Sequence, residues 1–252
     1  FYSLNSSISE LSRNQFFGNG SRASVISKCT SSMVSNNYFE DKGNGTPLKM
    51  EECAVMNINN NEFNGGGSVI IFDSMGVGLL ENLFIYMRVG LDLIRSPITA
   101  EFNSFIGSGV NISTEAKKNP WIENLVIGTT NSVNGGMFRL LKKVENFTWD
   151  DPSTGQYILW RTKNNTIEGF ASTDPGVGLQ VLETIDTNIV NCSIDTASYG
   201  IKAFDNENIT IDSTMISSCR DYGIWSLGNE EGHFRDNLVK YSPSIDTESR
   251  KY

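Results

Sequence analysis

Short alternations of apolar and polar residues recur along this chain, separated by Gly, Asn, Ser and Asp. The clearest follow a glycine: Gly90-Leu-Asp-Leu93, Gly109-Val-Asn-Ile112, Gly178-Leu-Gln-Val181 and Gly200-Ile-Lys-Ala203. Alternation of period two marks a strand with one buried face, and the glycine before it permits a sharp corner. Tyr199-Gly200-Ile201 and Tyr222-Gly223-Ile224 repeat almost letter for letter at a step of 23 residues. A second register confirms the first. Asn-x-Phe occurs at Asn14/Phe16, Asn37/Phe39, Asn61/Phe63, Asn82/Phe84 and Asn103/Phe105, with Asn steps of 23, 24, 21 and 21 residues. Repeats of this length, rich in Asn, Gly, Ser and β-branched residues, predict a solenoid of strands rather than of helices.

Less regular matches continue the series through Asn124, Asn146, Asn165, Asn191, Thr214 and Asn237, giving about eleven rungs. Each rung pairs with its equivalents above and below, so the expected fold is all-β, a single-stranded parallel β-helix over residues 1–242, with 243–252 as a tail or junction. An inward Asn at a bend can bond its own backbone and the amide of the next rung, which makes a ladder. The Phe two residues on stacks inside the coil. A further inner column is expected at Val34, Ile58, Leu79, Ala100 and Trp121.

The Asn-x-Phe/Ile and Gly-Ile-x-apolar registers resemble the right-handed parallel β-helix repeats of pectate-lyase-like proteins, from about residue 10 to 240. That resemblance implies a right-handed coil and no particular reaction, because many functions share the repeat. The segment from Trp160 to Ser172, followed by Gly176-Val-Gly-Leu179, resembles stretches of fibrocystin-type and hyaluronan-binding cell-surface proteins. It departs from their pattern at Ala171–Pro175 and at Leu179. This second likeness implies a surface or matrix scaffold and transfers no catalytic residue.

Composition narrows the partners. Twenty basic against 29 acidic residues give a net charge of -9, which argues against a nucleic-acid groove. No apolar run is long enough to span a membrane; the richest, Val77 to Ile94, is broken by Glu81, Arg88 and Asp92. The chain opens on Phe1 with no visible signal peptide, which reads as a processed or excised piece. Abundant Ser, Thr and Asn suit an extracellular, cell or virion surface. Cys29 and Cys53 each precede a column Phe by ten residues. They therefore occupy one place on successive rungs, either as stacked buried thiols or as a disulfide.

Candidate chemistry is sparse. β-Helix enzymes that cut polysaccharides need paired carboxylates projecting from neighbouring rungs. The polar position of the Gly-led strands carries Asp92, Asn111, Gln180, Lys202 and Trp225, one acid only, and reads as a solvated sheet face. Asp150 and Asp151 beside Trp149 read as a turn or as a sugar-stacking edge. His233, the single histidine, reads as a corner residue near Glu230 and Glu231. No Cys/His metal spacing and no phosphate loop occur, so no catalytic residue, metal or cofactor is assigned. Asn-x-Ser/Thr sequons are numerous; Asn19 and Asn44 fall in expected turns and Asn111 and Asn208 at expected outward strand positions, making these four the candidate glycan acceptors. Asn146 and Asn191 carry sequons but are expected to point inward on the ladder. The resulting expectation is a structural or adhesive surface scaffold that self-associates or adjoins further domains of its own polypeptide, with glycans as attached groups or ligands. The rivals are a carbohydrate-active β-helix, such as a tailspike depolymerase or pectate-lyase-like enzyme, and a noncatalytic glycan-binding module.

Overall fold

Strands of three to six residues, each followed by a corner, close most coils of the chain, and the corners share one backbone device. A residue with left-handed φ ends strand after strand: Lys28, Glu52, Asp73 and Arg95 at one corner, and Arg13, Asn36, Asn60, Glu81 and Phe102 at the next. Each such turn returns the chain by a fixed angle, so equivalent residues fall one above another. The computed structural model describes residues 1–5, 10–20, 24–114, 119–151 and 154–240, with the backbone of Asp246–Glu248. Among these residues there is no α-helix, and the fold is a parallel β-solenoid of about ten turns.

Two compact units are present. The first comprises Phe1–Thr114 and Asn119–Gly135. It has six coils, each contributing one strand to each of three parallel sheets. The third sheet of the unit carries Phe16, Phe39, Phe63, Phe84 and Phe105 in direct register. Their rings stack at centroid distances of 4.7, 4.9, 5.1 and 4.5 Å, the spacing of the strands themselves. The second sheet stacks Leu11, Val34, Ile58, Leu79, Ala100 and Ile127. Ile127 thus takes the place expected for Trp121, which lies instead in a 3-10 turn, Pro120–Asn124. The extra residues of that turn lengthen the last coil and shift its register.

The second unit comprises Glu115–Lys118 and Gly136–Tyr252. Four of its coils contribute three strands each: Thr154–Trp160, Lys163–Glu168 and Ala171–Thr173 form the first of them. Ahead of these lie Gly136–Lys142 and Thr148–Trp149. Asp246–Glu248 pair with Trp225–Leu227; the remainder of 243–252 lies outside the described residues. The core is aliphatic, built from Leu179, Val181, Ile189, Ile194, Ile201, Ile209, Ile211, Ile216 and Ile224 around Tyr157 and Phe170. Gly178 and Gly200 do not serve corners, since neither has a left-handed φ. They allow close approach: a Cβ on Gly178 would lie 2.5 Å from the Gly200 carbonyl oxygen and 2.9 Å from Ile194.

Candidate functional site

Asn37, Asn61, Asn82 and Asn103, at the second corner of the first unit, are buried and saturated with hydrogen bonds. Asn61 Oδ1 accepts from the backbone N–H and the Nδ2 of Asn37, each at 3.0 Å. Asn61 Nδ2 donates to Val34 O at 2.8 Å, Asn59 O at 3.0 Å and Asn82 Oδ1 at 3.0 Å. The pattern repeats from Asn14 through Asn37, Asn61, Asn82 and Asn103. Its next member is Asn131, which accepts from the Asn103 N–H at 3.0 Å; Asn124 is exposed at the end of the 3-10 turn.

A second ladder runs at the first corner of the same unit and uses other side chains. The N–H of Cys53 donates to Ser74 Oγ and that of Ser74 to Ser96 Oγ, both at 3.0 Å. Cys29 and Cys53 lie in this column as buried, unbridged thiols. Cys53 Sγ bonds Ile26 O at 3.5 Å, one coil below, and burial pushes its thiol pKa up. The second unit has its own ladders: Thr184, Asn206 and Asn229 at one corner, Cys192, Thr214 and Asn237 at another. Asn146 and Asn191, expected inward, are instead exposed residues of left-handed φ. The inward position falls one residue later, on Phe147 and Cys192. Asn165 is buried within a strand, in register with Thr187.

Two open grooves follow ladder corners, one in each unit. The first is lined by Arg13, Asn14, Gln15, Asn36, Asn37, Tyr38, Asn60 and Glu62, with a volume of about 390 Å³. Amides dominate it. The second, about 370 Å³, is lined by Arg161, Glu183, Thr184, Ile185, Asp205, Asn206, Glu207, Gly228 and Glu230. Its floor is the Thr184–Asn206–Asn229 ladder, where Asn206 Nδ2 donates to Asn229 Oδ1 at 2.7 Å and Val181 O at 3.0 Å. Its wall is a stack of corner residues, in which Arg161 Nε pairs with Glu183 Oε2 at 2.8 Å while the Arg161 guanidinium lies 4.6 Å from the Trp160 ring centroid. A Cβ at Gly228 would strike the Asp205 carboxylate. Glu207 and Glu230 stand in direct register on adjacent strands. Sequence inspection of the Gly-led strands missed this stacked pair, because it lies on the following strand, where no glycine marks the register. Among the described residues no cluster of three or more His, Cys, Asp or Glu could hold a metal.

The polar column of the Gly-led strands is not a solvated face. Gln180 and Lys202 are buried, because their outward neighbours Ile158, Trp160, Leu182 and Phe204 are apolar and buried as well, and Asn111 is buried against Asp92 and Ser113. The Lys202 ammonium sits 5.2 to 5.3 Å from the rings of Tyr199, Phe204 and Trp225, a cation–π arrangement. Trp149 is no open sugar platform either. The Arg139 guanidinium covers it at 4.5 Å, and Asp151 pairs with Arg139 at 3.4 Å. His233 is exposed on the strand Glu230–Arg235, opposite Thr210.

Among the candidate glycan acceptors, Asn19 and Asn44 are exposed. Asn208 is half-buried, and its Nδ2 donates to Asp186 Oδ1 at 2.8 Å. Asn111 is 5% exposed, with Nδ2 bound to Asp92 Oδ1 at 2.8 Å and Ser113 Oγ at 2.9 Å. Its outward strand position therefore does not make it accessible, since the amide is drawn down onto the Asp92 carboxylate.

The sequence model of the family described as right handed beta helix region matches residues 74–249. No curated protein sequence matches the chain. Solved structures similar to it include the catalytic domain of a GH87 alpha-1,3-glucanase in complex with tetrasaccharides, at 10% identity and a TM-score of 0.33, covering 97% of this chain and 60% of that one. The A-module of an Azotobacter vinelandii mannuronan C-5 epimerase is similar at 13% identity and a TM-score of 0.34, covering 100% of this chain and 87% of that one. A surface adhesin of Streptococcus pneumoniae is similar at 9% identity and a TM-score of 0.29, covering 87% of this chain and 62% of that one. The chain thus spans less than two thirds of the glucanase and adhesin chains.

Proposed function

The chain belongs to the right-handed β-helix family, and from that premise we propose that it is an extracellular or surface scaffold with an adhesive role, taking uncharged glycan segments along its ladder-corner grooves. The observation that carries this reading is the amide-lined groove over Asn14, Asn37 and Asn60. Amides offer a donor and an acceptor in one plane, which matches sugar hydroxyls and makes no use of charge. The net charge of -9 disfavours polyanionic ligands. Asn19 and Asn44, both exposed, are the acceptors through which the scaffold would carry its own glycans. Assembly with a further copy or with more of the same polypeptide would proceed by strand pairing on the Tyr2–Leu4, Glu10–Ser12 and Gln15–Gly18 coil, where Phe1, Tyr2, Leu4 and Phe17 are exposed.

The test is a glycan array probed with the purified chain, followed by Asn36→Ala and Asn60→Ala on any hit. Saturable binding to neutral glycans that either variant weakens supports the reading. Binding that is absent, or indifferent to both variants, removes it. A second reading, a carbohydrate-active enzyme, is favoured by one observation, the Glu207 and Glu230 pair in register in the other groove. Release of reducing ends from any array hit, abolished by Glu207→Gln or Glu230→Gln, would replace the scaffold reading with that one.

A further inference from the structure

At the start of the second unit, several polar side chains point into the solenoid core and find no partner. Tyr157 and Thr154 are buried, at 0% and 2% exposure. Neither hydroxyl has a hydrogen-bond partner, nor do Arg139 Nε and Trp149 Nε1. Hydroxyls and N–H groups buried this way normally cost free energy unless something satisfies them. These four belong to one neighbourhood. Arg139 and Tyr157 are in register on adjacent strands. The Trp149 ring lies edge-on to Tyr157 at 6.0 Å, and under the Arg139 guanidinium at 4.5 Å. Burial pushes the Tyr157 phenol pKa up to about 12 and the Thr154 hydroxyl acts to lower it, yet neither atom completes a hydrogen bond. Asp151 completes the group through its 3.4 Å contact with Arg139 Nη2.

We propose that Arg139, Trp149, Asp151, Thr154 and Tyr157 form an internal binding site for a small uncharged guest that carries hydroxyl oxygens. The chemistry of the orphan atoms selects it. Arg139 and Asp151 already neutralise one another, so no ion is called for. Two N–H donors need an acceptor oxygen, and the two hydroxyls can each give or take a proton. Ordered water meets these needs, as do the vicinal hydroxyls of a polyol or of a sugar end. Arg139 and Asp151, whose side chains are 20% and 27% exposed, form the mouth through which a guest would enter. This site is separate from both surface grooves, and its fate does not depend on the scaffold reading.

The measurement uses the whole chain with Tyr157→Phe and Thr154→Val. If a guest holds the hydroxyls, each variant unfolds at a urea midpoint lower by about 0.5 M. Dry, unpartnered hydroxyls predict the reverse, since removing them relieves a desolvation cost; midpoints that rise or stay unchanged overturn the proposal. The source of the oxygen is then read by titrating glycerol and glucose against tryptophan emission. A saturable change that disappears in Trp149→Phe assigns the site to polyols. Lowered midpoints without a saturable change assign it to water, which a high-resolution crystal structure would show bridging Tyr157 and Thr154.

Discussion

Replacing Asn82 by Ala removes one rung from the middle of a buried ladder, and its cost can be worked from the bonds lost. Asn82 is 1% exposed. Its Nδ2 donates to Ile58 O at 2.7 Å and to Asn103 Oδ1 at 2.9 Å. Its Oδ1 accepts from the Asn61 N–H and from Asn61 Nδ2, both at 3.0 Å. Four bonds vanish, and the buried Asn61 N–H is left without its acceptor. At about 1 kcal/mol net for each bond, with the orphaned N–H at the upper end of that range, Asn82→Ala should cost about 3–4 kcal/mol. Asn14 supplies the control. It ends the ladder, is exposed, and its Nδ2 donates to Ser12 O and Asn37 Oδ1 at 2.8 and 3.2 Å; Asn14→Ala should cost under about 1 kcal/mol. Asn82→Asp separates geometry from polarity. A carboxylate would still accept from the Asn61 N–H but would face Asn103 Oδ1 and Ile58 O, so it should destabilise at neutral pH as much as Ala does. Protonation would return one donor, so its deficit should shrink as pH falls. Urea unfolding followed by circular dichroism and tryptophan emission measures these costs, provided that the two probes coincide, because a solenoid can unfold in parts. A cost for Asn82→Ala below about 1 kcal/mol, or no greater than that for Asn14→Ala, would refute the reckoning of four stabilising bonds at Asn82.

The Phe column should be at least as sensitive: Phe84→Ala leaves a void between Phe63 and Phe105 and should cost about 3–5 kcal/mol by the same unfolding measurement, whereas Phe84→Leu should recover much of it. Val55 is a β-branched residue at φ 54° with 59% exposure, so Val55→Asn should raise stability by about 1 kcal/mol, read as a higher urea midpoint. Burial pushes the Cys192 thiol up to about 11 from 9.0. The unfolded chain therefore releases this proton first, and the stabilisation, complete below pH 9, is lost as pH rises through 11. The loss should approach about 2–3 kcal/mol, should be visible as a falling urea midpoint between those pH values, and should be reduced in Cys192→Ala.

The ladder was legible in the sequence where a coil keeps its length, and it became illegible where a coil changes length. From Asn14 to Asn103 the steps hold between 21 and 24 residues, so identity and spacing agree. Between Asn103 and Asn131 the step is 28 residues, and the Asn at the repeat spacing, Asn124, is not the one in space. Sequence spacing measures chain length, while the ladder depends on height, and the 3-10 turn at Pro120–Asn124 adds length without adding height. The other ladders were hidden for a different reason. The column position takes a small side chain that reaches the backbone one coil away, and amide, hydroxyl and thiol all satisfy it: Ser74, Ser96, Thr214 and Asn237 accept from a backbone N–H, while the Cys53 thiol bonds Ile26 O. No single letter marks such a column. The corners were hidden by the reverse effect. Their left-handed φ is imposed by the coil, so Glu81 and Phe102 occupy a place where Asn36 and Asn60 fit without strain. The grooves inherit this freedom. A corner residue is held in place by its backbone and by the ladder beneath it, so its side chain can change from Asn to Arg, Glu or Asp while the coil stays closed. The side chains that can vary without opening the coil are thus the ones that line the grooves, Asn36 and Asn60 in one and Glu183 and Asp205 in the other.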